Sequence, residues 1–320
     1  MRRWFLSLVV VVALVFPWLT SHAQGGWTPD EQAALDEVQA ALEDFQMVTT
    51  YSSSMTLMQS QTIGVAYQGQ SLTIEQTIDG TGTLLLERAE DGALNQSISI
   101  EETVSAQQTP GQSTTVGPMT VNMIGVDGRI YLQVEGPPEV MAIFPSGWQD
   151  VTEGSDVPGM NMFNMEAMFG QESWFIQYPE ALITAATAIE ILTPETVAGQ
   201  KINHYRLTVD AATFLNESGG TEAYRTMFAS EQMPFDLDAL IERLFTDEDT
   251  TLWVDVSVGA DDGLLYGYAG DFSADISAGD LITDATLSGA ELDMQQTTNT
   301  SVTVYDHNKP VDIQAPVIEE

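Results

Sequence analysis

The chain has 320 residues, 43% of them apolar, with 47 Asp and Glu against 9 Lys and Arg, 3 His and no Cys. A formal net charge of −38 argues against nucleic acid as a ligand, because phosphate backbones are held by clustered Lys and Arg, and it disfavours docking on anionic headgroups. Without cysteine there are no disulfides, thiol nucleophiles or thiolate metal sites, so stability must come from a hydrophobic core, which a chain of this length can build.

Arg2 and Arg3 precede an apolar run from Trp4 to Phe16, followed by Pro17 and the small-residue stretch Ser21-His22-Ala23. This pattern predicts a secretory signal peptide over residues 1–23, cleaved near Ala23. The apolar run is too short for a membrane-spanning helix, which needs roughly 20 residues. The expectation is an exported protein, periplasmic or extracellular and soluble, whose net charge after loss of Arg2 and Arg3 is −40. No cysteine is present to carry a covalent lipid anchor. The remainder, 24–320, reads as a single domain.

Leu35, Val38, Leu42 and Phe45 recur at helical spacing with acids opposite, so a helix is expected over 30–46, capped by Thr28 or Asp30. After Met47 the texture changes to alternating Thr, Ser, Val, Ile and Tyr. Strands are expected near 50–59, 70–79, 82–88, 94–104, 118–126 and 129–135, with Asp79-Gly80, Asp91-Gly92 and Asp127-Gly128 as tight connections. A second set is expected near 187–197, 201–210, 251–258, 263–276, 281–295, 299–306 and 311–314, with turns at Ala198-Gly199-Gln200 and Asp261-Asp262-Gly263.

Two helical insertions interrupt this meander, near 136–186 and 211–246. The first is rich in proline and then in methionine (Met160, Met162, Met165, Met168), and the second has Phe235, Leu237, Leu240, Ile241 and Leu244 at helical spacing. Strand alternation supplies one apolar face, with Leu252, Val254, Val256 and Val258 on one strand and Leu264, Tyr266, Tyr268, Phe272 and Ile276 on the next. The fold class is α+β: a strongly curved antiparallel sheet wrapped around amphipathic helices.

At the C-terminus, Val302 and Val304 alternate with Thr303 and Tyr305, then a polar Asp306-His307-Asn308-Lys309-Pro310 corner leads to a short Val311/Ile313 strand. No catalytic arrangement stands out. There is no Gly-x-Ser-x-Gly elbow and no His-Glu-x-x-His zinc motif, and His204 and His307 read as structural. The acids are too numerous for any catalytic pair to be singled out, and Asp261-Asp262-Gly263 lacks the ligand spacing of a calcium loop. No metal or cofactor is expected, and the protein is not expected to be an enzyme. Divalent-cation binding at acidic clusters such as Asp247-Glu248-Asp249 stays open.

Taken in order, the helix, the meander, Gly128-Arg129-Ile130-Tyr131, Trp148 after a Pro-rich connection, Val197-Ala198-Gly199 leading into His204-Tyr205, Leu252-Trp253-Val254-Asp255 and the Asn308-Lys309-Pro310-Val311 ending resemble the LppX/LprAFG family of bacterial cell-envelope lipoproteins, within the LolA-like carriers. The resemblance covers most of the mature chain. It implies a half-barrel with an apolar cavity between sheet and helices that shelters the acyl chains of lipids or lipoproteins, without enzymatic activity. Members are usually anchored through a lipid-modified cysteine, whereas this chain has Ala23-Gln24 at that place.

The expected function is therefore lipid or lipoprotein carriage or presentation in the cell envelope, with a lipid or acylated lipoprotein as partner and transient contacts to membrane or envelope proteins. The alternatives are a structural module with a filled core and, last, an exported hydrolase. Flexible, polarizable methionines suit adaptable acyl contacts, although they serve equally as ordinary core. The cavity-lining candidates are Met162, Met165, Met168, Phe169, Trp174 and Phe175, with Tyr266, Tyr268 and Phe272 on the sheet side.

Overall fold

The computed structural model describes residues 26–67, 70–88, 94–109, 112–142, 144–152, 178–197, 199–221, 236–247, 249–282 and 290–318. Helix α1 spans Pro29–Phe45. Its start is set by a capping box: the Thr28 hydroxyl accepts from the Glu31 amide at 3.3 Å, while the Glu31 carboxylate accepts from the Thr28 amide at 2.8 Å. Two amides that no helical carbonyl can reach are thereby satisfied. Thr28, not Asp30, is the cap. The acidic stripe of α1 faces solvent, and Ala34, Leu35, Val38, Ala41, Leu42 and Phe45 are buried.

The strands are β1 (Thr50–Tyr67), β2 (Gln70–Arg88), β3 (Leu94–Thr109), β4 (Gln112–Val126), β5 (Arg129–Glu135), β6 (Gln149–Asp150), β7 (Ala186–Ile191), β8 (Glu195–Val197), β9 (Gln200–Val209), β10 (Thr251–Gly259), β11 (Leu265–Ser277) and β12 (Glu291–Tyr305). They form one sheet in the order β6-β5-β4-β3-β2-β1-β12-β11-β10-β9-β7, with β8 also paired to β9. Among the described residues all pairings are antiparallel and the outermost strands are not paired to each other. The sheet is thus open, an antiparallel meander with helices on one face, as the alternation implies.

Three expectations on the strands are corrected. Asp79-Gly80 is not a turn but lies inside β2, which runs on as one strand because Gly80 is paired on both sides, to Leu57 and to Glu102. Likewise β12 is one strand where 281–295 and 299–306 were expected as two. Residues 311–314 form no strand, since Val311 and Ile313 gain no ladder partner among the described residues. Asp127-Gly128 is the tight connection expected, with φ of 52° and 72°, the left-handed pair of a two-residue hairpin turn.

The remaining helices are short: α2 (Pro138–Met141), α3 (Pro179–Ala185), α4 (Ala211–Glu217) and α5 (Leu237–Thr246). Leu182 of α3 and Phe214 of α4 join α1 in one buried cluster with Leu207, Val254, Val256, Val258, Leu265 and Val304 from the sheet, extending to Ile98, Ile100 and Met123 on β3 and β4. Helix α5 packs separately on β11, where Leu244 meets Ala274 and Ile276 and the Phe245 ring lies 5.5 Å from that of Phe272. Arg243 anchors α5 by donating to both carboxylate oxygens of Asp280, at 2.6 and 2.9 Å, and to the Ser277 carbonyl. A third cluster covers β4 and β5 with Phe144 and Val151.

Candidate functional site

In an antiparallel ladder, directly paired residues share a face and alternate residues change it. Following the pairings across β3, β2, β1, β12 and β11 gives successive rows on the face that α1 covers. Ile100, Gly82, Met55, Val302 and Tyr268 form the last row that belongs to the closed core. The next contains Glu102, Gly80, Leu57, Thr300 and Gly270. Beyond it lie Val104, Ile78, Gln59, Thr298 and Phe272, then Ala106, Gln76, Gln61, Gln296 and Ala274, then Ile74, Ile63, Met294 and Ile276, and finally Leu72, Val65 and Leu292.

Helix α1 is 17 residues long, about 26 Å at 1.5 Å per residue. Strand β1 has 18 residues and β2 has 19, about 60 Å each at 3.3 Å per residue. The long strands therefore outrun the helix. From Leu57 onward no residue of β1 is fully buried, although Leu57, Ile63 and Val65 are apolar and face the helical side. Ile74 and Leu292 behave similarly, and on β12 the inward residues 292–300 are half-buried while their outward neighbours are exposed.

Charge is segregated between the faces. Glu75, Asp79, Glu87, Glu101, Asp255, Asp271, Asp275, Glu291 and Asp293 all pair in outward rows. Among the described strands, Glu102 is the one carboxylate in an inward row. Burial pushes it above the ordinary glutamate range. Glu102 escaped sequence reading, yet the signal was present: it shares the phase of Ile98, Ile100 and Val104.

Of the cavity-lining candidates, Met162, Met165, Met168, Phe169, Trp174 and Phe175 lie outside the described residues. Tyr268 is buried in the α1 core and Phe272 lines the helical face against α5. Tyr266 goes elsewhere, with a clear cause. The β10–β11 ladder shifts register between Ser257 and Val258, so that Leu265 takes the inward position and is fully buried. Tyr266 turns to the opposite face, where its hydroxyl donates to Asp262 at 2.9 Å and its ring lies 5.0 Å from His307. Burial and the Asp262 carboxylate push its phenol up to about 12.

That opposite face carries a hollow of about 720 Å³ bounded by Leu192, Glu195, Ile202, His204, Tyr266 and His307. Within it the His204 imidazole bridges Ser257 Oγ (2.9 Å from Nδ1) and Glu195 (3.2 Å from Nε2). The sequence resembles no hydrolase here, and the geometry explains the group structurally. Ser257 sits inside a strand paired on both sides, so its neighbouring amides serve the ladder and not an oxyanion, and the imidazole ties β8 to the sheet. His307 is also structural, with Nε2 2.7 Å from the Leu265 carbonyl oxygen. Among the described residues no cluster of His, Asp and Glu is arranged to hold a metal ion, and no helix is long and apolar enough to cross a membrane.

No protein-family model matches the chain, and no curated protein matches it. Among solved structures it is similar to LprF from Mycobacterium bovis, with 10% identity over 89% of this chain and 97% of that one and a TM-score of 0.38. It is similar also to the Mycobacterium tuberculosis lipoprotein LppX, with 10% identity, 89% and 100% coverage and a TM-score of 0.34, and to a DUF1329 family protein from Desulfovibrio piger, with 10% identity, 90% and 96% coverage and a TM-score of 0.24. Its structural neighbours thus include LppX and LprF, of the group its sequence resembles.

Proposed function

We propose that this protein is an exported, non-enzymatic binder of lipid or of the acyl chains of a lipoprotein, which it holds between the sheet and the helices for carriage or presentation in the cell envelope. The observation that carries this reading is the overrun of the long strands past α1, with inward apolar side chains such as Leu57, Ile63, Val65 and Leu292 left half-buried. Closing that surface with a chain of methylenes gains about 0.8 kcal/mol for each one buried, before ordering costs are subtracted. The strongly acidic outward face supports a soluble carrier, since like charge keeps copies apart.

The test is chemical. Protein purified without detergent is extracted with organic solvent and the extract examined by mass spectrometry, and the stripped protein is titrated with a fluorescent fatty acid. Extractable lipid together with saturable uptake is expected. An extract without lipid and no uptake would overturn the reading and favour an envelope interaction module, for which the polar-edged hollow by Tyr266 and His204 is the surface of interest.

A further inference from the structure

The inward face is not a uniform apolar sleeve. Between the closed core and the apolar rows at Ile63 and Val65 runs a band of polar side chains set among apolar ones: Glu102 and Thr300 in the row of Leu57, Gln59 and Thr298 in a row with Val104, Ile78 and Phe272, then Gln61 paired with Gln76 and Gln296. Among the described residues the other strand carboxylates point outward and one acid lies inside, in a band with few internal partners. The Gln61 amide there reaches only a thioether, Met294 Sδ, at 3.6 Å, and the Gln296 amide meets the Thr298 hydroxyl at a long 3.4 Å. No ion pair or hydrogen bond involves the Glu102 carboxylate among the described residues. Polar groups taken partly out of water ordinarily find partners, and a band that lacks them is arranged for something else.

The backbone beside Glu102 lies close under the inward face. Its row neighbour Gly80 has no side chain and is buried, and a Cβ built there would lie 3.7 Å from Leu57 Cβ and 3.8 Å from Glu102 Cβ, so the three share one surface. On the other flank the β3–β4 ladder slips between Glu102 and Val104, where Gly117, at φ 133°, lets the strands approach so closely that a Cβ there would clash with the Glu102 carbonyl oxygen at 2.9 Å. Bulges of this kind re-aim side chains at the point where pairing is interrupted.

We infer that this band is the headgroup site of the lipid reading, and that it takes an amphiphile with an amine-bearing head: the ammonium faces the half-buried Glu102 carboxylate, the glutamine amides hydrogen-bond the polar atoms beside it, and the tail lies along the apolar rows. The inference rests on the lipid reading for the tail and adds the chemistry of the head. Charge complementarity selects the cation, because among the described residues the helical face offers a half-buried negative group and no side-chain partner for it.

Isothermal titration with three probes of one chain length, dodecylammonium, dodecanol and dodecanoate, each below its micellar concentration, separates head from tail. Dodecylammonium is expected to bind about tenfold tighter than dodecanol, with dodecanoate weakest, as one partly desolvated ion pair would give. Glu102→Gln should reduce the amine to about the affinity of dodecanol, with dodecanol itself unchanged and the melting temperature no lower. Glu101→Gln removes the same charge one residue away on the other face and should leave all three affinities within about twofold. If dodecanol binds but the amine is not preferred, or if the two variants lose equal affinity, the headgroup inference is overturned and the lipid reading stands. If neither dodecanol nor the amine binds, both fall.

Discussion

Glu101 and Glu102 are consecutive in β3 and lie on opposite faces of the sheet. Glu101 is exposed and pairs with Thr81 and Thr120 in an outward row, whereas Glu102 is half-buried beside Gly80 and Met119. Two identical side chains therefore meet different surroundings, and burial raises the pKa of Glu102.

This difference gives a pH prediction. The folded-state pKa of Glu102 lies above its ordinary value of 4.5, so the native state holds the extra proton between the two values and stability falls as pH rises through that window. Below 4.5 the group is protonated in both states and contributes no difference; above the raised value the whole penalty is present. Glu102→Gln should match the wild-type melting temperature near pH 3.5 and exceed it near pH 7.5, by no more than about 2 °C because solvent around a partly exposed carboxylate screens much of the cost. Thermal melts of both proteins at the two pH values check the sign, and an advantage for the variant that is larger in acid would contradict it.

Gly80 tests whether the row of Glu102 meets a ligand. A Cβ there meets its neighbours at 3.7 to 3.8 Å, ordinary van der Waals contact, and the position lies within a strand, so Gly80→Ala should fold with stability within about 1 kcal/mol of wild type. Gly80→Leu puts a large side chain between Leu57 and Glu102. It is expected to weaken dodecylammonium binding about tenfold in protein that is still folded, at some cost in melting temperature. A large loss of stability in the alanine variant would show that the row is closely packed and holds no ligand.

Much of the architecture was readable because local and tertiary signals agree in it. Thr28, Pro29 and Glu31 announce the start of α1, Leu35, Val38 and Leu42 announce its buried stripe, and Asp127-Gly128 announces a hairpin. The failures share a cause: pairing overrides local preference. Asp79-Gly80 has turn chemistry, but Gly80 is held between Leu57 and Glu102, and the ladder continues through it. Tyr266 has the period of Tyr268 and Phe272, but one register shift at Ser257 sends it to the other face, and nothing in the local sequence marks a shift that depends on the partner strand. The polar band was legible in part, since Gln59 and Gln61 keep phase with Met55, Leu57 and Ile63. That they align with Gln76, Gln296 and Glu102 is a property of register, which a single strand does not contain.

The capping box predicts a modest and local cost. Thr28→Ala removes the hydroxyl that accepts from the Glu31 amide at 3.3 Å, and the reciprocal contact loses its geometry. The expected destabilisation is about 1 kcal/mol, read as a lower denaturation midpoint with unchanged slope. Thr28→Ser keeps the acceptor and should recover most of it.

The core under α1 predicts the largest loss. Leu42 is 1% exposed and belongs to the same cluster as Val254, Val256 and Val304, so truncation removes transfer energy and leaves a cavity that the paired strands beneath resist closing. Leu42→Ala should cost about 3 kcal/mol. Met58 is the contrast: it occupies β1 on the outward face, is 60% exposed, and its replacement by Ala should stay within about 0.5 kcal/mol. Chemical denaturation of both variants measures the difference, and the comparison reaches beyond stability. If α1 is the fixed floor of the lipid site, Leu42→Ala should lower the denaturation midpoint and yet, at temperatures where it remains folded, bind dodecanol with wild-type affinity, because the rows that meet the tail lie past the end of the closed core. Loss of dodecanol binding in the folded variant would place the tail under α1 instead, among Leu42, Val254 and Val304, and would move the site into the closed core.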